Sequence, residues 1–332
     1  MRFWLWIVAL VGGSAAIFAI LQAAATPPPA VMTPRVGPAL QQAKTWGYQL
    51  QRVQIDRVPA DIDMLVVDYS RDGTDGRALR ADEVSALQLR PDGSRRIVLS
   101  YLSIGEAENY RYYWKPWWRA SPPLWLGREN PNWKGNFPVR YWDPAWQGLI
   151  YQTPDTVENS FWARLWHAIS PRARPYIDRI LEAGFDGVYL DRIDAFDQPI
   201  DPRKDARADM TAFVGAISRH AKTRRPGFLV IAQNAEQLLS DARYRRAIDG
   251  VAKEDLYYGE GGDGVANTPT DTRHSIALLN RAKADGKPVF TIEYLSDPKQ
   301  QREVAAQWRQ LGFVGVFADR GLTKPPVVPP VP

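Results

Sequence analysis

The stretch "GFDGVYLDRIDAF", Gly184 to Phe196, carries an apolar run straight into two carboxylates, Asp191 and Asp194. The chain repeats the pattern in "GFVGVFADRG", Gly312 to Gly321, and more loosely in "IDGVAKED", Ile248 to Asp255. Aligned on Gly-Val, the acids Asp191, Asp319 and Glu254 fall in register. Side chains alternate along a strand. In "GVYLD", Gly187, Tyr189 and Asp191 therefore share one face, and Val188 and Leu190 share the other. The apolar face suits packing against helices. The Gly/Tyr/Asp face then points to the opposite side and ends in an acid. The same parity predicts that Gly315, Phe317 and Asp319 share an inward face, toward the interior that the strands enclose, as do Gly250, Ala252 and Glu254. Lys253 falls on the face opposite Glu254.

Working outward, strand-like runs recur at residues 46–50, 64–69, 96–103, 187–191, 228–233, 250–254, 288–294 and 315–319. Helix-like stretches separate most of them, and several close on a glycine (Gly184, Gly286, Gly312), as helix C-termini do. Strand–helix alternation over this length predicts a parallel α/β fold. Eight units predict a closed (β/α)8 barrel, an α/β TIM barrel forming a single domain. Only residues 104–150 break the rhythm, as a long loop or insertion.

The barrel is expected to occupy residues 44–322. Ahead of it, Arg2 precedes the uncharged apolar segment Phe3–Leu21, and "QAAAT" offers small residues for cleavage near Ala25. Residues 1–25 are thus expected to be a signal peptide or an N-terminal membrane anchor. Residues 26–43 read as a Pro-rich spacer and 323–332 as a Pro-rich, extended and mobile tail. The expected location is outside the cytoplasm, periplasmic or extracellular, with membrane contact only through an uncleaved N-terminus.

The 332 residues carry no cysteine, which excludes disulfides, thiolate metal sites and a cysteine nucleophile. A net charge of +5 with no run of five basic residues gives no support to nucleic-acid binding. The three histidines lack zinc-ligand spacing, and neither a nucleophile elbow nor a phosphate-binding Gly-rich loop is present.

Carboxylates dominate the strand ends: Asp68 after "MLVV", Glu106 after "YLSIG", Glu293 in "TIEY", with Asn234 and Glu236 in "VIAQNAE". Barrel enzymes place their chemistry at that rim. A single strand-end acid is as well explained by a helix cap or by pairing with Arg192 or Arg320. A ring of them is costly, since like charges raise each other's pKa, and function is the usual reason to accept the cost. Glycoside hydrolysis needs only two carboxyl groups and no cofactor. Sugar sites also use aromatic faces. Eleven Trp and Tyr residues lie between Tyr110 and Trp146, and about a third of them are expected to be exposed. A Mg²⁺ or Ca²⁺ site built on Asp191 and Asp194 is the competing use of such oxygens, and a non-catalytic polysaccharide-binding barrel is another.

Six motifs in order, "WGYQLQ", "LVVDYSRDG", "VLSYLSIGEAENYRYYW", "FDGVYLDRIDAF", "VIAQNAE" and "GVFADRG", resemble glycoside hydrolase family 114, the endo-α-1,4-polygalactosaminidases and related bacterial barrel proteins. The resemblance spans roughly residues 44–320. It implies a (β/α)8 barrel that cleaves galactosamine-rich polysaccharide with retention. It implies an Asp after the fourth strand and a Glu after the fifth, which match Asp191 and Glu236. Asp191 is then expected as nucleophile and Glu236 as acid/base, or the two in reversed roles, without metal. Asp68, Tyr69, Tyr101, Glu106, Tyr189, Asp194, Asn234, Glu254, Glu293 and Asp319 are expected around the substrate. Asp194 is expected either there or at the start of the next helix. A carboxylate-lined cleft would suit a cationic amino-sugar polymer.

Overall fold

The computed structural model describes residues 36–151 and 174–329. The expected signal peptide or anchor at residues 1–25 and the spacer residues 26–35 lie outside the described residues. Eight parallel strands follow the sequence pattern: β1 (Trp46–Tyr48), β2 (Met64–Val67), β3 (Ile97–Ser103), β4 (Gly187–Asp191), β5 (Leu229–Gln233), β6 (Gly250–Glu254), β7 (Val289–Glu293) and β8 (Val314–Phe317). Each pairs with its neighbour in chain order, giving a nearly closed barrel. Around it lie α1 (Val36–Gln42), α2 (Ala81–Gln88), α3 (Pro144–Ile150), α4 (Tyr176–Glu182), α5 (Ala206–Arg224), α6 (Ala242–Ala247), α7 (Pro269–Ala284) and α8 (Pro298–Leu311). Proline at the first turn, where no N–H is needed, and a capping side chain start three of them. Asp143 accepts from Ala145 N–H, Thr268 from Asp271 N–H and Asp297 from Lys299 N–H. Gly312, at φ 64°, ends α8 in the left-handed region that glycine favours.

The apolar residues form two cores. Inside the barrel, Trp46, Tyr48, Met64, Leu99, Tyr189, Ile231, Phe290 and Val316 are buried together. The rings make a floor, with Tyr48 and Tyr189 centroids 4.9 Å apart and Trp46 and Phe290 5.6 Å apart. Outside, Val188, Leu190, Val230 and Val251 pack against helix residues such as Phe213 and Ile217. Residues 36–42, expected in the spacer, form α1, and Leu40 plugs the interior core.

Two echoes of the opening stretch behave alike. Tyr189 and Ala252 both belong to the interior, so Asp191 and Glu254 emerge from that face. The third echo corrects the expectation. In β8, Val316 belongs to the interior, with Val314 and Ala318 against it, whereas Phe317 belongs to the outer core. The cause is Gly315. A Cβ there would sit 1.9 Å from Trp308 of α8, whose ring stacks on Phe317 at 4.8 Å. Gly187, by contrast, lets β4 and β5 approach, since a Cβ there would lie 2.3 Å from Leu229 carbonyl oxygen. One sequence pattern thus serves two packings, and the one-residue difference turns every side chain to the other face.

The Pro-rich tail, as far as Pro329, is also tied down. Between β8 and β1, Leu50 and Gln51 N–H both donate to Leu322 carbonyl at 3.1 Å. Phe317 and Val327 exchange backbone bonds of 3.0 and 2.9 Å. Pro326 covers Gly47, where a Cβ would meet it at 2.5 Å. Proline offers no N–H, so the strap is held by the residues between its prolines. Thr323 and Lys324 donate their N–H groups to Asp319.

Candidate active site

A cleft of about 820 Å³ opens over the C-terminal ends of the strands. β4 delivers Asp191 into it. Its Oδ2 accepts Tyr101 hydroxyl from β3 at 2.7 Å, and its Oδ1 accepts Arg192 N–H at 2.7 Å. Arg192 takes a left-handed turn, φ 59°, to make that bond. β6 delivers Glu254. One carboxylate oxygen accepts the side-chain amides of Gln233 and Asn234, the latter at 3.2 Å, and the other accepts Tyr294 hydroxyl. Glu254 N–H donates back to Asn234 Oδ1 at 3.1 Å, and Tyr48 hydroxyl donates to Gln233 Oε1 at 3.3 Å.

Both carboxyls hold protons more tightly than usual. Burial, then the charges of Glu254 and Asp194, push Asp191 up to about 7, against the pull of Tyr101 and Arg192. Burial raises Glu254, opposed by its three side-chain donors.

Arg192 bridges outward to Glu106 and Asp194, each at 3.4 Å. Glu106 also accepts Asn130 and Asn136 side-chain amides at 2.8 and 3.4 Å. Buried Arg111 binds Asp68 at 2.7 Å and Glu108 at 2.6 Å, and Tyr110 hydroxyl donates to Glu108 at 2.5 Å. The cleft is therefore lined by Asp68, Tyr101, Glu106, Asp191, Asp194, Asn234 and Glu254, all expected from the sequence.

Five expected residues lie elsewhere. Glu236 is 5% exposed and faces outward, accepting Ser275 hydroxyl from α7 at 2.6 Å with Lys253 at 3.6 Å. Glu254, from the sixth strand, lines the cleft with Asp191, as do Glu106 and Glu108. Tyr69 packs edge-on against Tyr176 at 5.0 Å, behind the wall. Tyr189 is floor, its hydroxyl without a hydrogen-bond partner among the described residues. Glu293 lies on the outer face of β7, accepts Tyr257 N–H at 2.8 Å and is pushed up to about 8 by burial. Asp319 organises the strap and is held below the usual carboxylate range by Thr323 and Lys324, burial acting the other way.

Sequence reasoning passed over Glu108, Arg111, Gln233 and Tyr294. Parity was the available signal for the last two, since Ile231 and Ile292 point inward two residues earlier. Of the eleven clustered aromatics, Tyr110, Trp117 and Trp133 are exposed, and only Tyr110 and Trp133 line the cleft. The rim is also less acidic than expected. Seven carboxylates line the cleft against six basic side chains, and Arg111, Arg192 and Arg320 are each ion-paired.

The fold and site define a (β/α)8 barrel with a carboxylate-lined cleft at the C-terminal ends of its strands. The profile of glycoside hydrolase family GH114 matches residues 22–328, and the chain belongs to that family. A relative from Deinococcus radiodurans, itself uncharacterised, is 36% identical over 91% of this chain and 89% of its own. Another uncharacterised relative, from Methanocaldococcus jannaschii, is 33% identical over 83% of this chain and 73% of its own. Among solved structures, the glycoside hydrolase domain of PelA from Pseudomonas aeruginosa shares the fold. Its TM-score is 0.59 and its identity 17%, over 86% of this chain and 98% of that one.

Proposed function

We propose that the protein is a retaining endo-glycosidase of α-1,4-linked galactosamine-rich polysaccharide, with Asp191 and Glu254 as the reacting carboxylates. The observation that carries the proposal is the cleft-lining pair Asp191 and Glu254, each fixed by its own donors and each raised by burial. Asp191 attacks the anomeric carbon while Glu254 protonates the departing glycosidic oxygen, so the C–O bond breaks as a glycosyl ester forms. Glu254 then takes a proton from water, the water oxygen attacks the same carbon, and Asp191 leaves as carboxylate. Both oxygens of Asp191 are pinned, which suits the attacking group. Glu254, one methylene longer, suits proton delivery.

The amino sugar fits this division of labour. Its C2 ammonium adjoins the anomeric carbon and so comes beside Asp191 on binding. A cation there favours the ionised form of Asp191, the form that attacks. With the cleft's charges nearly balanced, this attraction is local rather than a long-range field. The exposed rings of Tyr110 and Trp133 supply stacking faces for sugar units. The segment Phe3–Leu21 and "QAAAT" support export, where such a polymer is met.

The test is reducing-end release from partly deacetylated α-1,4-galactosaminan, with the anomer of the first product read by ¹H NMR. The proposal expects new reducing ends, α-configured product and no effect of chelator. Tight polymer binding without release would make this a binding barrel, and loss of activity in EDTA would make it a metal enzyme.

A further inference from the structure

Glu236 and Lys253 face away from the cleft, yet they lie on the chain segments that carry its hydrogen bonds. Asn234 and Ala235 are consecutive non-glycine residues in the left-handed region, at φ 57° and 55°. Asn enters that region readily, but Ala235 stays there only when its surroundings hold it. One hold is visible on the inner side. Asn234 N–H donates to Ala252 carbonyl at 2.8 Å, and its side chain exchanges two bonds with Glu254. The other hold is Glu236, immediately after the turn. It is buried against Ser275 hydroxyl at 2.6 Å, with Lys253, the residue before Glu254, at 3.6 Å. The ends of β5 and β6 are thus stapled on both faces of the wall, with the turn between the staples.

We propose that Glu236 is a positioning residue: by locking the Asn234–Ala235 turn from outside the barrel, it aims the Asn234 amide at Glu254. This rests on the reading of Glu254 as a reacting carboxylate. Without the outer staple the turn relaxes toward right-handed or extended backbone, and Asn234 no longer meets Glu254. Losing a donor to the ionised form raises a carboxyl's proton affinity.

The test is a ¹³C-carboxyl NMR titration of Glu254 in the intact protein, labelled at glutamate Cδ. Asp191 and Asp255 lie beside it, and Tyr294, Tyr48 and Tyr189 face it, so midpoints are compared between variants. Asn234→Ala should raise the Glu254 midpoint. Glu236→Ala should raise it in the same direction, and the double variant should match Asn234→Ala alone, because the two act through one bond. Ser275→Ala, which leaves Glu236 its Lys253 partner, should give a smaller shift of the same sign and carries the test if Glu236→Ala does not fold. On polymer, Glu236→Ala should lose up to about 10²-fold in kcat with little change in KM. An unmoved Glu254 midpoint in both outer variants, or additive shifts in the double variant, would overturn the proposal. The titration needs no substrate, so a wild type that fails to hydrolyse would defeat the proposed function and leave this result readable.

Discussion

Replacing Asp191 by Asn should make the protein more stable, and only above about pH 5. Asn keeps Oδ1 for Arg192 N–H and turns its amide toward the Tyr101 oxygen, so the local bonds survive. What disappears is a carboxyl that burial and Glu254 hold near 7 instead of near 4. Below about pH 4 the folded and unfolded chains both carry that proton, and the cost vanishes. Between about 4 and 7 the unfolded chain ionises while the fold keeps its proton, so the wild type loses stability as pH rises. Above about 7 the loss is complete. Three pH units correspond to about 4 kcal/mol. Water reaching a partly exposed carboxyl reduces this toward about 2 kcal/mol. In a barrel of this size that is a gain of roughly 4–8 °C in Tm. Thermal unfolding of wild type and Asp191→Asn at pH 8 and pH 4 reads it directly. An equal difference at both pH values, or a loss of stability at pH 8, would refute the placement of Asp191 as a strained acid.

Other consequences follow from the same geometry. Arg111→Met strands Asp68 and Glu108, which are 7% and 3% exposed, and should cost about 3–5 kcal/mol in denaturant unfolding. Gly315→Ala drives a methyl into Trp308 and should cost about 1–3 kcal/mol, whereas Gly76→Ala, with nothing within 4 Å, should be nearly silent in the same melt. Trp133→Ala removes an exposed ring from the cleft wall and should raise KM for polymer about 2- to 10-fold with kcat little changed.

The barrel was legible because the strands announce themselves as short apolar or β-branched runs and three helices ahead of strands end on glycine. Asp191 and Glu254 were legible by parity, since alternation holds to the last residue of β4 and β6. Glu236 was not. Two left-handed residues, Asn234 and Ala235, intervene, and a parity count carries no information through such a turn. The β8 face was misread because Gly315 looks like Gly187 in sequence while answering to a tryptophan far along the preceding helix. The strap was hidden by its prolines, which signal extended chain but say nothing of the N–H groups of Thr323, Lys324 and Val327 that fasten it.

The central claim is that Glu254, not Glu236, works with Asp191. The cleavage rate of Glu254→Gln on the galactosamine polymer tests it most directly, with folding checked by circular dichroism. Loss of rate by about 10²–10⁴-fold in a folded variant is the predicted result. A folded Glu254→Gln that cleaves at the wild-type rate would contradict it.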